Sequence, residues 1–238
     1  GNNAFRGCDG LTSISLPEGL TSIGSYAFSY CEGLTSISLP EGLTSIGYGT
    51  FSNCRRLTSI SLPEGLTSIG DYAFTYCRRL TSISLPEGLT SIGSYAFSYC
   101  DSLTSIILPA GVTSIEESAF ADCDALTDVY YRGTEEEWSA VTIETGNDPL
   151  LNATMHYRTV TASGQCGDSV NYVLYNDGAL VISGEGDMWN WSYGDQPWYD
   201  YRSDIVSVTV ESGVTRVGNY AFWGFYGITS ISLPNGLI

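Results

Sequence analysis

Lysine is absent from this chain. The nine bases among its 238 residues are all arginine, set against 26 acids, and the net charge is −17 with a single histidine. Such a body repels phosphate-rich surfaces, which argues against nucleic acid and anionic membranes as partners. Without lysine there is neither a Schiff-base amine nor a phosphate-loop lysine, and no glycine-rich phosphate loop is present. The lone histidine and the widely spaced cysteines make no metal-ligand set. No apolar run approaches the roughly 20 residues that span a bilayer, and any targeting or anchoring segment is expected to lie outside this stretch. Catalysis has one candidate pair, Cys166 as nucleophile and His156 as base, without a third group to orient them. The expectation is a non-catalytic protein that needs no cofactor or metal. With 43% apolar and 13% aromatic residues, it is not disordered.

What fills the chain is repetition. The stretch LTSISLPEGLTSIG occupies Leu11 to Gly24 and returns unchanged at Leu34, Leu57 and Leu80, and in looser form at Leu103. A fixed period of 23 residues marks a stacked-repeat architecture. Within each unit Ile14 and Leu16 alternate with Ser13 and Ser15, as in a short strand with one buried face. Leu16-Pro17-Glu18-Gly19 supplies turn chemistry, with Pro expected at the second position and Gly at the fourth of a type I turn. Leu20 with Ile23, and Ala27 with Phe28 and Cys31, give two further inward sets, the last expected in a short helical turn. One unit alone cannot bury these residues; stacked neighbours can.

Six cysteines, Cys8 to Cys123, recur once per coil at the same place. Coils about 4.8 Å apart lie within disulfide Cα range, but parallel Cβ vectors hold the Cβ atoms beyond the usual ~3.8 Å. A ladder of buried thiols acting as small hydrophobes is therefore expected. Cys166 stands outside this register. Phe225 takes the cysteine place in a later, diverged unit, which supports a packing role for the thiols.

The spacing L-x-x-I-x-L-x-x-G, the 23-residue period and the AF-x-x-C tail resemble the BspA-like leucine-rich repeats of bacterial surface proteins. The resemblance implies a β-rich leucine-rich-repeat solenoid, right-handed and curved, of short strands with turns or short 3-10 helices. It also implies a secreted or surface-displayed protein, often adhesive, whose partner is a host extracellular protein or polysaccharide. Four segments are expected: a repeat array at 1–133, a closing cap and polar linker at 134–163, a β-hairpin and aromatic opening segment at 164–204, and the start of a second array at 205–238. Thr134 with Glu137 forms a capping-box pattern at the head of a short helix. Gly146 to Pro149 reads as a turn, Ala153 to Tyr157 as a strand, and Asn176-Asp177-Gly178 as a hairpin turn. YYRGTEEEW and CGD…PWY resemble segments that close and open arrays in the same family. Both chain ends fall inside repeats, so the chain reads as part of a longer one.

Five surfaces compete for function. The outward rows of Ser13, Ser36, Ser59, Ser82 and Ser105 and of Ser15, Ser38, Ser61 and Ser84 offer hydroxyls to a repeating ligand, or are small merely to suit a tight inner curve. Tyr26, Tyr72 and Tyr95, with Tyr48 one place away, and Tyr30, Tyr76 and Tyr99 form columns suited to binding, or rings that stack to cover the coils. Arg55, Arg56, Arg78 and Arg79 form a cationic patch able to clamp a carboxylate or sulfate, or pair with Glu32 and Asp101 in their own column. Glu18, Glu41, Glu64 and Glu87 stack like charges, which should splay apart or bind cations. Trp189, Trp191 and Trp198 have the composition of a sugar platform, or cover the first coil of the second array.

Overall fold

The computed structural model describes residues 1–237; Ile238, the end of the expected second array, lies outside them. The chain forms two compact units, Gly1–Tyr157 and Arg158–Ile238. The first is a β-solenoid. One side of it carries Ser36–Ser38 on Ser59–Ser61, then Ser82–Ser84, Ser105–Leu108, Asp128–Tyr131 and Thr154–Tyr157 in a further parallel sheet. Another side carries Ser45–Ile46, Ser68–Ile69, Ser91–Ile92, Ser114–Ile115 and Thr142–Ile143, all parallel. Ser36 pairs with Ser59 and Ser45 with Ser68, so register equals period and each residue stacks on its own counterpart.

That register turns the repeat into ladders. Leu34, Leu57, Leu80 and Leu103 are buried above one another, as are Ile69, Ile92 and Ile115. Phe28, Phe51, Phe74, Phe97 and Phe120 stack face to face at 5.2–5.5 Å with interplanar angles of 3–12°. Each such ring contributes about 1.5–3 kcal/mol by burial. All seven cysteines are free thiols, and only Cys8 is exposed. From Cys31 to Cys123 each Sγ–H donates to the carbonyl of a Phe 26 residues earlier, at 3.1–3.4 Å.

Two local expectations are corrected. The Pro-Glu-Gly turn closes from the Pro17 carbonyl to the Leu20 N–H at 3.0 Å, and likewise from Pro63 to Leu66, so Pro stands first in the turn. The preceding Leu is needed in the core, and Pro has no N–H to offer where only its carbonyl is used. The tails are not helical either. The Ala27, Ser29 and Cys31 N–H groups close turns onto the Gly24, Tyr26 and Phe28 carbonyls, while those of Tyr26, Phe28 and Tyr30 donate to Tyr48, Thr50 and Ser52 in the next coil. The alternation of turn and coil-to-coil donors links each tail to the next, which a continuous helix with its N–H groups directed along its own axis would not do.

The array closes with the helix Glu135–Ser139, whose capping box is complete: the Thr134 Oγ1 accepts from the Glu137 N–H and the Glu137 carboxylate from the Thr134 N–H. The expected turn at Gly146 to Pro149 instead opens a second helix, Asp148–Asn152, with Pro149 in its first turn. Ahead of it, buried Asn147 accepts from the Phe120 N–H and donates to the Glu116 and Glu144 carbonyls, replacing bonds a further coil would make. Thr134→Ala should lower the stability of this unit by about 1 kcal/mol, seen as a lower urea midpoint at unchanged slope. An unmoved midpoint would show that the closing helix adds nothing.

In the second unit Val170–Tyr175 and Ala179–Gly184 form the expected hairpin, with Gly178 at φ +79°. Ala179–Gly184 then pairs in parallel with Ser207–Val210, and that strand with Ser230–Ser232, so one hairpin arm serves as the first rung of resumed repeats. The expected polar linker is a strand, Val160–Gln165, antiparallel to Val170–Tyr175. It is an edge strand, mostly exposed on both faces, so it lacks the apolar alternation by which strands are recognised.

Candidate functional site

Each repeat tail holds two residues, four apart, in left-handed backbone. In three coils both are tyrosine: Tyr26 with Tyr30, Tyr72 with Tyr76 and Tyr95 with Tyr99, all at φ between +56° and +60°. Asn3 with Gly7, Gly49 with Asn53 and Ser118 with Asp122 take the same conformation in the other coils. The turns therefore require the conformation, which Gly adopts freely and other L residues only at a cost of about 1–2 kcal/mol. Tyrosine is not what this backbone favours.

The rings form two rails. On the first, Tyr26, Tyr48, Tyr72 and Tyr95 follow at 5.2, 5.3 and 5.1 Å, Tyr48 standing in for the missing side chain of Gly49. On the second, Tyr76 and Tyr99 stack at 4.4 Å and 2°, while Tyr30 is 42% exposed and separated from them by the coil of Asn53. Between the rails runs a groove of about 650 Å³ lined by both sets of rings and by Ser29, Ser52, Asn53, Thr75 and Ser98. The Thr75 and Ser98 hydroxyls bond each other at 2.6 Å, and the Asn53 Nδ2 donates to the Ser52 Oγ at 3.1 Å. The buried Ser29 Oγ has no hydrogen-bond partner among the described residues, a deficit of about 1–3 kcal/mol. Arg6 lies over both Tyr26 and Tyr30, at 5.6 and 5.7 Å. A hydrogen bond with Tyr26 raises the Tyr48 phenol above its ordinary value, and one with Asp122 does the same for Tyr99. These groups stay neutral hydrogen-bonding phenols across the physiological range.

The sequence reading named Tyr30, Tyr76 and Tyr99 but missed the polar floor between the columns. The signal was present, since the residue after the first five tail phenylalanines is Arg6, Ser29, Ser52, Thr75 and Ser98. Arg55 lies 3.5 Å from Glu32 and Arg78 3.7 Å from Asp101, both half exposed, and Arg78 also lies over Tyr76 at 5.5 Å. Such pairs contribute about 0–1 kcal/mol. Arg56 and Arg79 are exposed and make no ion pair among the described residues. Glu41 accepts from the Glu64 N–H and Glu87 pairs with Arg132; no group of three or more candidate metal ligands exists among the described residues. The strand-face serines Ser36, Ser38, Ser59, Ser61, Ser82 and Ser84 are exposed.

In the second unit, Trp198 cannot be a surface binding residue. It is fully buried, packs on Tyr172 and Phe222, and donates its Nε1–H to the Ala221 carbonyl at 3.0 Å. Trp191 is half-buried against it, and Trp189 is exposed with its Nε1–H on Asp168. The two residues of the possible catalytic pair have different surroundings. His156 binds Asp128 at 2.8 Å and stacks on Tyr130, and burial pushes the Cys166 thiol up to about 12.

The BspA-type leucine-rich repeat model matches six copies in this chain, over residues 1–127 and 196–238. The chain belongs to the BspA-type leucine-rich repeat family. A search of curated proteins finds no match. Among solved structures the chain resembles a leucine-rich repeat protein from Bacteroides ovatus at 24% identity and TM-score 0.52, over 100% of this chain and 64% of that one. It also resembles the leucine-rich repeat protein of T. pallidum at 37% identity and TM-score 0.49, over 50% of this chain and 58% of that one. The chain thus spans less than two thirds of the length of either. No helix among the described residues of this BspA-type protein is long and apolar enough to cross a membrane.

Proposed function

We propose that this BspA-type chain is a non-catalytic, extracellular, surface-displayed binding module, and that it engages a host protein or glycan through the tyrosine-railed groove of its repeat tails. One observation carries the reading. Tyrosine occupies left-handed positions where Gly49, Asn53, Gly7 and Asp122 satisfy the same turn. Ring stacking recovers part of the backbone cost, about 0.5–1.5 kcal/mol per pair, but Tyr30 stacks on no other tyrosine and keeps its ring at the surface. Strain held at an exposed aromatic is a mark of function rather than of folding. A rigid spacer in a larger assembly is the second reading, favoured by the near-identity of four coils.

The test is a screen of glycan and extracellular-matrix protein arrays with the native chain, a Tyr30→Gly/Tyr76→Gly variant, and a variant with Arg55, Arg56, Arg78 and Arg79 changed to Ser. Glycine suits both backbone positions, so the first variant should fold. Binding is expected to vanish in it and to persist in the arginine variant. Binding lost only in the arginine variant would move the site to that patch. Binding indifferent to both would move it off the tails, and silence of the native chain would leave the spacer reading.

A further inference from the structure

The two rails differ at a single coil. The tail Tyr48-Gly49-Thr50-Phe51-Ser52-Asn53 carries no tyrosine at either left-handed position. On the first rail the gap is closed, because Tyr48 moves in and the Tyr26 ring lies 2.6 Å from where a Gly49 Cβ would stand. On the second rail no ring fills the gap, and Asn53 lies at its base, 8% exposed. Tyr30 and Tyr76 stand two coil spacings apart, about 10 Å, with only Asn53 between them. Tyr99 stacks on one face of Tyr76 and the Arg78 guanidinium also lies over that ring at 5.5 Å, on the coil that neighbours Asn53.

We propose that this gap is a slot for one sugar ring of a neutral linear polysaccharide lying along the groove; the proposal rests on the groove being the binding surface. A ring placed midway sits about 5 Å from each tyrosine, close to the 5.2–5.5 Å spacing of the phenylalanine ladder beneath it. The slot thus has the thickness of a single six-membered ring. Its walls are the Tyr30 ring, whose π face attracts the polarised C–H groups of a pyranose chair, and the Tyr76 ring with the Arg78 guanidinium over it, which donates to hydroxyls. Its floor is polar: the Asn53 amide and the Ser52 hydroxyl to which it donates, both largely buried, with only their edges reaching the groove. A sugar brings hydroxyls that donate to and accept from such a floor, which an apolar side chain cannot do. The net charge of −17 disfavours a polyanionic chain. Elsewhere along the rails Tyr72 stacks on Tyr95 at 5.1 Å and Tyr76 on Tyr99 at 4.4 Å, so no ligand ring can enter between those pairs.

Asn53→Tyr tests the slot. Position 53 has φ +62°, the conformation in which Tyr30 and Tyr76 already sit, so the new ring should complete the rail and fold normally, with an unchanged or higher melting temperature. Titrations by calorimetry and saturation-transfer NMR would use neutral hexose oligosaccharides of graded length, with a uronic-acid oligosaccharide for comparison. The native chain is expected to bind the neutral series with affinity rising with length, and Asn53→Tyr to weaken it at least tenfold. Equal binding by Asn53→Tyr, no binding of any neutral oligosaccharide, or preference for the uronic acid with loss in salt would each overturn the slot. If array binding is lost in Tyr30→Gly/Tyr76→Gly but survives in Asn53→Tyr, the groove stands and the slot alone falls.

Discussion

Trp198→Ala should destabilise the second unit by about 3–5 kcal/mol, the usual cost of deleting a large buried aromatic. Trp198 is among the largest fully buried side chains in the protein and bridges the hairpin to the resumed repeats, with Tyr172 on one side and Ala221 and Phe222 on the other. Small domains hold only about 5–15 kcal/mol in total, so most of this unit's margin would go. Calorimetry should show its transition fall steeply or vanish while that of the first unit stays in place. Trp189→Ala is the control: that ring is exposed, and surface changes usually stay within about 0.5 kcal/mol. Equal, small shifts for the two variants would contradict a core role for Trp198.

A thiol titration of the native protein should find one fast-reacting cysteine, and seven after denaturation without reductant. Cys8 is the exposed thiol; the other six are buried and free. Burial pushes Cys77 and Cys166 up to about 12 and raises Cys31, Cys54 and Cys100 as well. At about 12 the thiolate, which is the reactive form, is about a thousandfold scarcer at neutral pH than in an ordinary thiol. Burial adds a steric barrier to the electrostatic one. Fewer than seven equivalents in denaturant would reveal disulfides, and several fast equivalents in the native state would mean that the ladder opens readily.

The solenoid was legible because a 23-residue period admits few other outcomes. Once Ser36 faces Ser59, every inward residue of one coil must meet its copy in the next, and the leucine, phenylalanine and cysteine ladders follow. The capping box at Thr134 and the hairpin at Asn176-Asp177-Gly178 were legible for a similar reason, since each is closed by contacts within a few residues. The misread segments depend on partners distant in sequence. Among the described strands, Val160–Gln165 pairs only with Val170–Tyr175, and Trp198 is buried by residues more than twenty positions away on either side of it.

By itself, then, the sequence determined the repeat, its register, the thiol ladder and the family, because these rest on periodicity and local chemistry. Only the tertiary structure decided which aromatics are core and which are surface. It placed two tyrosine columns on either side of a hydroxyl floor and left the second column open at Asn53. The reason lies in the backbone. The left-handed residues fix where each ring points, and nothing in the spacing of the letters announces that a tyrosine has taken a glycine's conformation.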